Sequence, residues 1–320
     1  MTQSIYSLGS GLRALLFHRF IFDGESRESA RDRLKRQCDW LSKTFKPLRL
    51  DEVKNGLSLG DLPPNALLVT IDDAKVEILE ILDIFQSFSI PIAIFACVGW
   101  CAQEEFVETD REISLARLIT ELNWYRGPAL KLRVAGVELE IGQGDERTAS
   151  EIDRLLQLVR TNSLTAVDLP KLCAGAPRVS CTFAELADIA SNQVAIGGHS
   201  VSHINLARAS SLRQDYEIKA TKRILDEAVV GTYAFAYPYG MSTTHSATTR
   251  HLLGEAGFDI AFLTHSGLAT QTTDQLSLPR ISMPDRTMPE YEFRARCAGA
   301  GIVYRKLRLA FEKPSSLICG

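Results

Sequence analysis

The sequence predicts an α/β fold that is built on a parallel sheet. A buried strand at Ala66–Ile71, an amphipathic helix at Val76–Phe88 and a strand at Pro91–Ala96 form a βαβ unit. Strand–helix alternation resumes at Thr182 and continues to Ile281. Repeated β/α units spread over roughly 200 residues predict either a barrel or a doubly wound sheet.

The segment before this βαβ unit contributes one strand and one helix. Ala14–Phe20 is an apolar run typical of a buried strand. Glu28–Phe45 carries apolar residues three or four positions apart, which predicts an amphipathic helix. Pro47–Leu50 then predicts a short extended segment. The expected domain therefore begins with its own β/α unit.

The second half of the chain repeats the same pattern. Its predicted helices are Thr182–Ser191, Ser211–Val229 and Thr248–Ala256. Its predicted strands are Val194–Ile196, Tyr233–Tyr237, Ile260–Leu263 and a short last strand at Leu278–Ile281. These elements extend the parallel sheet.

Residues 103–175 interrupt the alternation. This stretch is charge-rich, and Ile113–Leu122 and Ala149–Thr161 are predicted helices. Between them, Leu130–Glu140 alternates apolar and polar residues around Ala-Gly, which predicts a small hairpin. We expect a mainly helical insertion into the α/β domain, and not an independent domain.

Composition excludes several classes of protein. The 320 residues include 36 basic and 39 acidic side chains, for a net charge of -3. A dedicated nucleic-acid binder would show a basic excess, and no polybasic run indicates binding to an anionic membrane surface. The seven cysteines are scattered, which favours free thiols in a reducing compartment over a disulfide framework.

No segment has the features of a secretory signal or of a membrane span. Met1–Arg13 is polar, and the apolar stretch Ala14–Phe17 is too short for a signal peptide. The longest apolar run, Ile90–Trp100, falls short of the roughly 20 residues that cross a bilayer. We expect a cytoplasmic bacterial protein, with peripheral contact to the inner membrane left open.

Three polar clusters each follow a predicted strand, where parallel α/β folds bind ligands. The first is Thr70–Ala74, with adjacent carboxylates at Asp72 and Asp73. Such carboxylates repel one another unless a cation or a proton intervenes, so one could bind a metal while the other acts as a base. The alternative is that an Asp caps the following helix.

The second and third clusters are Gly197–His203 and Phe235–Gly240. His199 and His203 are four residues apart, so on one helical turn both imidazoles could bind a single divalent ion. In Phe235–Gly240 the Pro-Tyr-Gly sequence predicts a turn whose backbone N–H groups could face an oxyanion. Each cluster taken alone is also compatible with ordinary packing.

Other catalytic patterns are missing or incomplete. The sequence has no Gly-x-Ser-x-Gly elbow. Cys97 with Cys101, and Cys173 with Cys181, do not have the usual spacing of a structural zinc site. Gly142-x-Gly144 lacks the third glycine of a dinucleotide loop.

Together the clusters resemble the NodB-homology polysaccharide deacetylases, carbohydrate esterase family 4. Thr70–Ala74 is similar to that family's Thr-Phe-Asp-Asp-Gly motif, and His199–His203 is similar to its His-Thr-Val-Thr-His motif. Further similar segments are Leu16–Phe20, Gly257–Ala261 and Leu278–Ile281. The turn Tyr-Pro-Tyr-Gly is typical of one subgroup, and some members carry a helical insertion before the His motif.

The resemblance implies a distorted (β/α)7-type barrel with one mainly helical insertion. The barrel would cover residues 12–285, interrupted by 103–175, and residues 286–320 would be a C-terminal extension. The oligomeric state is left open.

The resemblance also implies roles for site residues. Asp73, His199 and His203 would bind a divalent metal, most often zinc. Asp72 would be the general base that takes a proton from the attacking water. The backbone N–H of Tyr239 would help to hold the tetrahedral oxyanion.

The chain departs from the family pattern in several places. Ala74 replaces a glycine, and it is strained if its φ must be positive. Ile71 replaces the motif's Phe. Ala236 stands where the family has an arginine before the Pro-Tyr turn, so Arg280 is the candidate to orient Asp72. The family's late Leu-x-His acid is missing, and His265 is the best-placed substitute for it.

The other histidines have weaker assignments. His18 follows the first strand and could face the pocket or be a packed core histidine. His245 and His251 are expected in a loop and on a helix surface.

These features lead to two main functional hypotheses. The first is a metal-dependent amide hydrolase that removes an N-acetyl or other small N-acyl group from an amino sugar, in a polysaccharide or in its lipid- or nucleotide-linked precursor. The second is a catalytically inactive homologue that binds a glycan or a biosynthetic complex. A hydrolase of a non-sugar amide is a weaker third hypothesis, because the fold alone does not select the substrate.

Overall fold

The computed structural model describes residues 11–101, 130–134, 137–141, 154, 179–229 and 231–300. Apart from Arg154, the predicted helices Ile113–Leu122 and Ala149–Thr161 lie outside the described residues, as do Cys173, Gly142 and Gly144. The C-terminal extension is described to residue 300.

Ten strands are present among the described residues. They are β1 (Arg13–Phe17), β2 (Lys46–Pro47), β3 (Ala66–Asp72), β4 (Ile92–Ala96), β5 (Leu130–Val134), β6 (Val137–Ile141), β7 (Val194–Gly198), β8 (Ala234–Ala236), β9 (Ile260–Phe262) and β10 (Ile281–Ser282). The strands β5 and β6 form the expected antiparallel hairpin, and the other eight form one sheet.

The large sheet is parallel and curled. Its strand order is β10-β1-β3-β4-β7-β8-β9, with β2 paired to β3. At one edge Leu15 of β1 pairs with Ile281 of β10. At the other edge Phe262 of β9 forms a parallel bridge to Leu278. One short segment therefore contacts both edges, and the sheet is a half-barrel of the expected (β/α)7 type.

Helices cover the sheet. They are α1 (Arg27–Thr44), α2 (Leu50–Leu59), α3 (Leu82–Ser87), α4 (Val98–Cys101), α5 (Phe183–Ile189), α6 (Ser211–Ala228), α7 (Ala247–Glu255) and α8 (Glu290–Cys297). Several begin at polar caps: the Ser26 hydroxyl accepts from the Ser29 amide, and Thr182 and Glu185 form a capping box. Such caps satisfy amides that have no partner within the helix.

One local prediction was wrong, and one helix was missed. The helix predicted over Val76–Phe88 is a 3-10 turn at Val76–Glu80 followed by α3, because Ile81 leaves the helical region at φ -128° and ψ -3°. The helix α2 was not predicted. It begins at the end of the extended segment, where the Glu52 carboxylate accepts from the Arg49 amide at 2.8 Å.

Both faces of the sheet are buried, as is usual for a parallel sheet. On one face Leu67, Val69 and Ile71 of β3 pack with Leu34 and Leu41 of α1. On the opposite face, small and aromatic side chains of the sheet pack against one side of α2. The residues of this second cluster include Ala66, Leu68, Ala93, Phe95, Val53 and Phe262. Because all sheet strands run the same way, their carboxyl ends form one common rim.

Among the helices that the structure describes, none is long and apolar enough to cross a bilayer.

Candidate metal centre

Most of the predicted site residues come together at the rim formed by the carboxyl ends of the strands. Asp72 is the last residue of β3, and Asp73 follows it. His199 follows β7 directly. Tyr239 lies in the turn after β8, and Arg280 precedes β10. Residues from distant parts of the chain thus meet at one edge of the sheet, as the strand-end argument predicts.

Asp73, His199 and His203 form a tight cluster. The Oδ1 atom of Asp73 lies 3.7 Å from Nε2 of His199 and 3.8 Å from Nε2 of His203. The three potential ligand atoms all lie within 4.8 Å of one another. Asp73 and His199 are buried, and His203 is half-buried.

The chemistry of this cluster fits a divalent metal. Nδ1 of His199 donates a hydrogen bond to the Ala236 carbonyl at 2.8 Å. Because a carbonyl only accepts, Nδ1 carries a proton, and Nε2 is the ring nitrogen that faces Asp73. In the described part of the chain, the buried Oδ1 of Asp73 has no hydrogen-bond partner. Two imidazoles and one carboxylate are a typical ligand set of a catalytic zinc site.

Asp72 has a different environment. Its two carboxylate oxygens each accept a hydrogen bond at 2.7 Å from the guanidinium of Arg280. Both side chains are almost fully buried. Burial, the largest single effect, would raise the pKa of Asp72. The charge and hydrogen bonds of Arg280, together with the nearby His199 and His18, outweigh burial, so the pKa lies below its ordinary value. Asp72 is therefore ionised at neutral pH.

Arg280 is itself held in place by the neighbouring strands. Its Nε donates to the Leu263 carbonyl at 2.8 Å, and its Nη1 donates to the Thr70 hydroxyl at 3.2 Å. This geometry brings the Arg280 guanidinium onto Asp72, the contact that was expected of it from the sequence.

A second buried cation lies beside the carboxylate pair. The ammonium of Lys75 lies 3.3 Å from Oδ2 of Asp73. Burial alone would raise the pKa of Asp73, but Lys75 and His203 hold it well below its ordinary value. Lys75 was not predicted. Its position next to two acidic residues at a strand end was the available signal.

The His203 imidazole is neutral at pH 7. Burial lowers the pKa of His203 to about 4, and the neighbouring His199 contributes in the same direction. A neutral imidazole is the form that binds a metal. The His203 ring stacks on the indole of Trp100, with ring centroids 5.1 Å apart. It meets the Tyr239 ring edge-on, with ring centroids 4.8 Å apart. Trp100 was not predicted to take part, although it ends the apolar run after β4.

The expectation that His199 and His203 share one helical turn was wrong. Residues 199–203 form an irregular loop, in which Ser200 and His203 have φ of 66° and 55°. The imidazoles face each other because this loop folds back, and their ring centroids are 4.8 Å apart.

The two glycines before His199 serve close packing. Both lie in β7, and neither has positive φ. A Cβ on Gly197 would come within 2.5 Å of the Phe95 ring, and a Cβ on Gly198 within 2.6 Å of the Thr221 methyl. The strand therefore needs glycines at these positions for space, and not for a positive φ.

Left-handed backbone is concentrated at the site. Asp73, Ala74 and Tyr239 have φ of 70°, 45° and 62°. The Ala74 value shows that the position occupied by glycine in the family motif does need positive φ, so Ala74 is strained. Non-glycine residues in this region cost about 1–3 kcal/mol each and typically occur at functional sites.

The Tyr239 turn is attached to β9. The hydroxyl of Thr264 donates to the Tyr239 carbonyl at 2.8 Å, and the Thr264 amide donates to the Gly240 carbonyl at 2.9 Å. His265 is the next residue. Its side chain is exposed and its carbonyl accepts from the Arg280 amide. His265 thus lies in the same group of loops as the Tyr239 turn, with an exposed side chain.

The other histidines differ in their relation to the site. His18 is half-buried, and its charge contributes to lowering the pKa of Asp72, Asp73 and His203, so it lies at the pocket. His245 hydrogen-bonds the Met241 carbonyl in a loop. His251 is exposed on α7 and pairs with Glu255.

The alternative reading of the Asp pair as a helix cap does not hold. The 3-10 turn that follows has Lys75 at its cap position, with no side-chain cap hydrogen bond. The cysteines in the described residues are all buried, at positions 38, 97, 101, 181 and 297.

Residues 171–261 match the family model of polysaccharide deacetylases. This match supports a polysaccharide deacetylase domain. It includes His199, His203 and Tyr239. The enzyme class that it supports is a carbohydrate N-deacetylase. No curated protein matches the chain.

Solved structures share the fold. IcaB from Ammonifex degensii has 17% identity and a TM-score of 0.58, covering 91% of this chain and 97% of that one. The Streptococcus pyogenes deacetylase PplD, solved in complex with acetate, has 17% identity and a TM-score of 0.54, with coverages of 89% and 97%. The Bacillus anthracis putative polysaccharide deacetylase BA0330 has 12% identity and a TM-score of 0.57, with coverages of 90% and 69%.

Proposed function

We propose that the protein is a metal-dependent amide hydrolase that removes an N-acetyl or other small N-acyl group from an amino sugar. Its substrate would be a polysaccharide or a lipid- or nucleotide-linked precursor. The observation that carries the proposal is the Asp73, His199 and His203 cluster beside an ionised, arginine-bound Asp72. The match of residues 171–261 to the deacetylase family supports the same conclusion.

Asp73, His199 and His203 would hold the metal, with zinc as our first candidate. A divalent metal at this position would polarise the amide carbonyl and lower the pKa of a water molecule. The buried Lys75 beside Oδ2 of Asp73 leaves Oδ1 directed at the imidazoles. The hydrogen bond from Nδ1 of His199 to Ala236 keeps Nε2 available as a ligand.

Asp72 would act as the general base. Its carboxylate accepts the proton from the attacking water, and Arg280 keeps it ionised and fixed. Each carboxylate oxygen has two lone pairs, so the bidentate contact with Arg280 leaves one lone pair on each oxygen for this proton. Nε2 of His199 lies 3.8 Å from Oδ2 of Asp72, and this short distance supports a base next to the proposed ligands.

Two further residues would complete the reaction. The backbone N–H of Tyr239, in its left-handed turn, would donate to the oxyanion that develops on the amide carbonyl. The leaving amine needs a proton, and His265 is our candidate for the general acid. The products are a free amino sugar and a carboxylate, usually acetate.

The direct test is acyl release from N-acetylated amino-sugar oligosaccharides and sugar nucleotides, measured as acetate with and without added zinc. We expect zinc-dependent release by the wild type and none by His199→Ala. The control is His251→Ala, which changes an exposed histidine away from the cluster and should leave the rate unchanged. Zinc-independent release, or release by His199→Ala at the wild-type rate, would contradict the proposal.

Asp72→Asn separates the base from the ligands. We expect this variant to bind zinc but to lose turnover by about 100-fold or more, because general acid–base catalysis contributes at least that much. Unchanged turnover would mean that the base is another residue. If the wild type binds zinc but releases no acyl group from any substrate of this class, the inactive-homologue hypothesis gains support.

A further inference from the structure

Glu217 is a fully buried carboxylate on α6 that contacts the histidine-bearing loop. Its Oε2 accepts hydrogen bonds from the amides of Val201 and Ser202 at 2.8 and 2.9 Å. Its Oε1 accepts from the Ser202 hydroxyl. The carboxylate of Glu217, a side chain from another element, thus binds the centre of the loop that carries both proposed imidazole ligands.

The charge of Glu217 is balanced on its own helix. Arg213 donates to Oε1 from Nε at 3.0 Å and from Nη2 at 2.8 Å. The carboxylate therefore has five donors within hydrogen-bonding distance. A charged group with no exposed surface is tolerated only with this degree of compensation. The contact is specific, because a shorter or neutral side chain could not serve all five donors.

The loop needs such support because it is strained. Ser200 and His203 both have positive φ. A strained backbone persists only where its surroundings over-determine it. The entry to α4 supplies part of this restraint, since the amides of Val98 and Gly99 donate to the carbonyls of Ser200 and Val201. Glu217 supplies a second restraint, because it accepts hydrogen bonds from two of the three amides between the histidines, those of Val201 and Ser202.

We propose that Glu217 is a positioning residue for the candidate metal centre. It fixes the loop that carries His199 and His203, and so it fixes the position of one imidazole relative to the other. This role rests on the proposed function, because the proposed function identifies a metal ion as the ligand of the two imidazoles. It adds a residue that touches neither imidazole. Residues that orient metal ligands typically change metal affinity by 10–100-fold when they are mutated.

The test compares Glu217→Gln with Glu227→Gln in the full-length protein. Glu227 lies on the same helix in an exposed i,i+4 pair with Arg223, so it controls for loss of a glutamate on α6. A glutamine has one acceptor oxygen, and its NH₂ group would face Arg213. We expect the zinc Kd, measured by competition with a chelating dye, to rise by about 10–100-fold in Glu217→Gln and not in Glu227→Gln.

Two further readouts separate positioning from a general loss of stability. With cobalt in place of zinc, the visible spectrum of Glu217→Gln should change, because the ligand geometry changes. Amide hydrogen exchange without metal should become faster in the peptide that covers residues 199–203, and not in peptides from β3. A wild-type Kd and spectrum in a folded Glu217→Gln would overturn the proposal, even if its Tm falls.

Failure of the proposed function gives a different pattern. If the wild type binds neither zinc nor cobalt, the metal centre is refuted, and the hydrogen-exchange comparison alone decides whether Glu217 fixes the loop. Unchanged exchange at residues 199–203 in Glu217→Gln refutes that role as well.

Discussion

Replacing Arg280 with methionine should destabilise the protein strongly and in a pH-dependent way. Arg280 is fully buried and forms two hydrogen bonds of 2.7 Å with Asp72, which is equally buried. Methionine fills similar space but removes the only positive charge in direct contact with Asp72 among the described residues. The variant therefore leaves a carboxylate without its counter-charge in a buried position.

The expected cost is large. Removing one partner of a buried ion pair typically costs about 3–5 kcal/mol, because the remaining charge is uncompensated. For a domain of this size, such a loss lowers Tm by the order of 10 °C. An exposed pair provides the control: Arg286 and Glu292 lie 2.7 Å apart at the surface, and Arg286→Met should cost less than about 1 kcal/mol.

The pH dependence should change sign. In the wild type the pKa of Asp72 is lowered in the fold, so its stabilisation is present above the unfolded pKa, about 3.9, and is lost as the pH falls through the folded pKa. In Arg280→Met, burial dominates and raises the pKa of Asp72. The variant is then least destabilised at low pH. Its loss of unfolding free energy, relative to the wild type, grows as the pH rises through the new folded pKa of Asp72.

Urea unfolding of the wild type, Arg280→Met and Asp72→Asn/Arg280→Met at pH 5 and pH 7.5 measures these effects. The double variant removes the uncompensated charge, so it should recover part of the lost unfolding free energy at pH 7.5. The reasoning is refuted if Arg280→Met is within 1 kcal/mol of the wild type, or if the double variant is no more stable than the single one.

Three further predictions concern packing, backbone strain and thiols. Gly197→Ala should lower the unfolding free energy by about 1–3 kcal/mol, because its Cβ would lie within 2.5 Å of the Phe95 ring; a wild-type urea midpoint would show that the ring can move. Ala74→Gly relieves a residue at φ 45°, whereas Ala93→Gly alters an equally buried alanine in β4. Ala74→Gly should therefore be less destabilising than Ala93→Gly by about 1–2 kcal/mol, and equal urea midpoints would argue against the strain. Burial raises the pKa of the Cys38 thiol to about 12. We therefore expect that Cys38 and the other buried cysteines do not react with a thiol reagent before the protein unfolds. More than two reactive thiols out of seven in the native protein would contradict this.

The parallel sheet and the meeting of the site residues could be predicted from the sequence for a physical reason. Apolar runs that end in Asp72 or in Gly-Gly-His199 place polar side chains at the carboxyl ends of strands, and those ends share one rim. Arg280 could be proposed because it lies at the last strand, and the structure places it on Asp72.

The local geometry of the site could not be predicted in the same way. A spacing of four residues fits a helical turn, but His199 and His203 lie in a loop with positive φ, which is stabilised by contacts far away in sequence. Glu217 resembled a surface residue of a helix. Its position beside buried Ile218 and Thr221 of α6 was the signal that it faces the core.

The central claim is that Asp73, His199 and His203 form one metal site, and metal stoichiometry tests it most directly. Equilibrium dialysis of the purified chain against zinc at pH 7.5 should give one tightly bound zinc ion per chain. The same measurement on His199→Ala and His203→Ala should show that this ion is lost while the far-UV circular dichroism spectrum is retained. No tightly bound zinc in the wild type, or undiminished binding in both variants, would contradict the account.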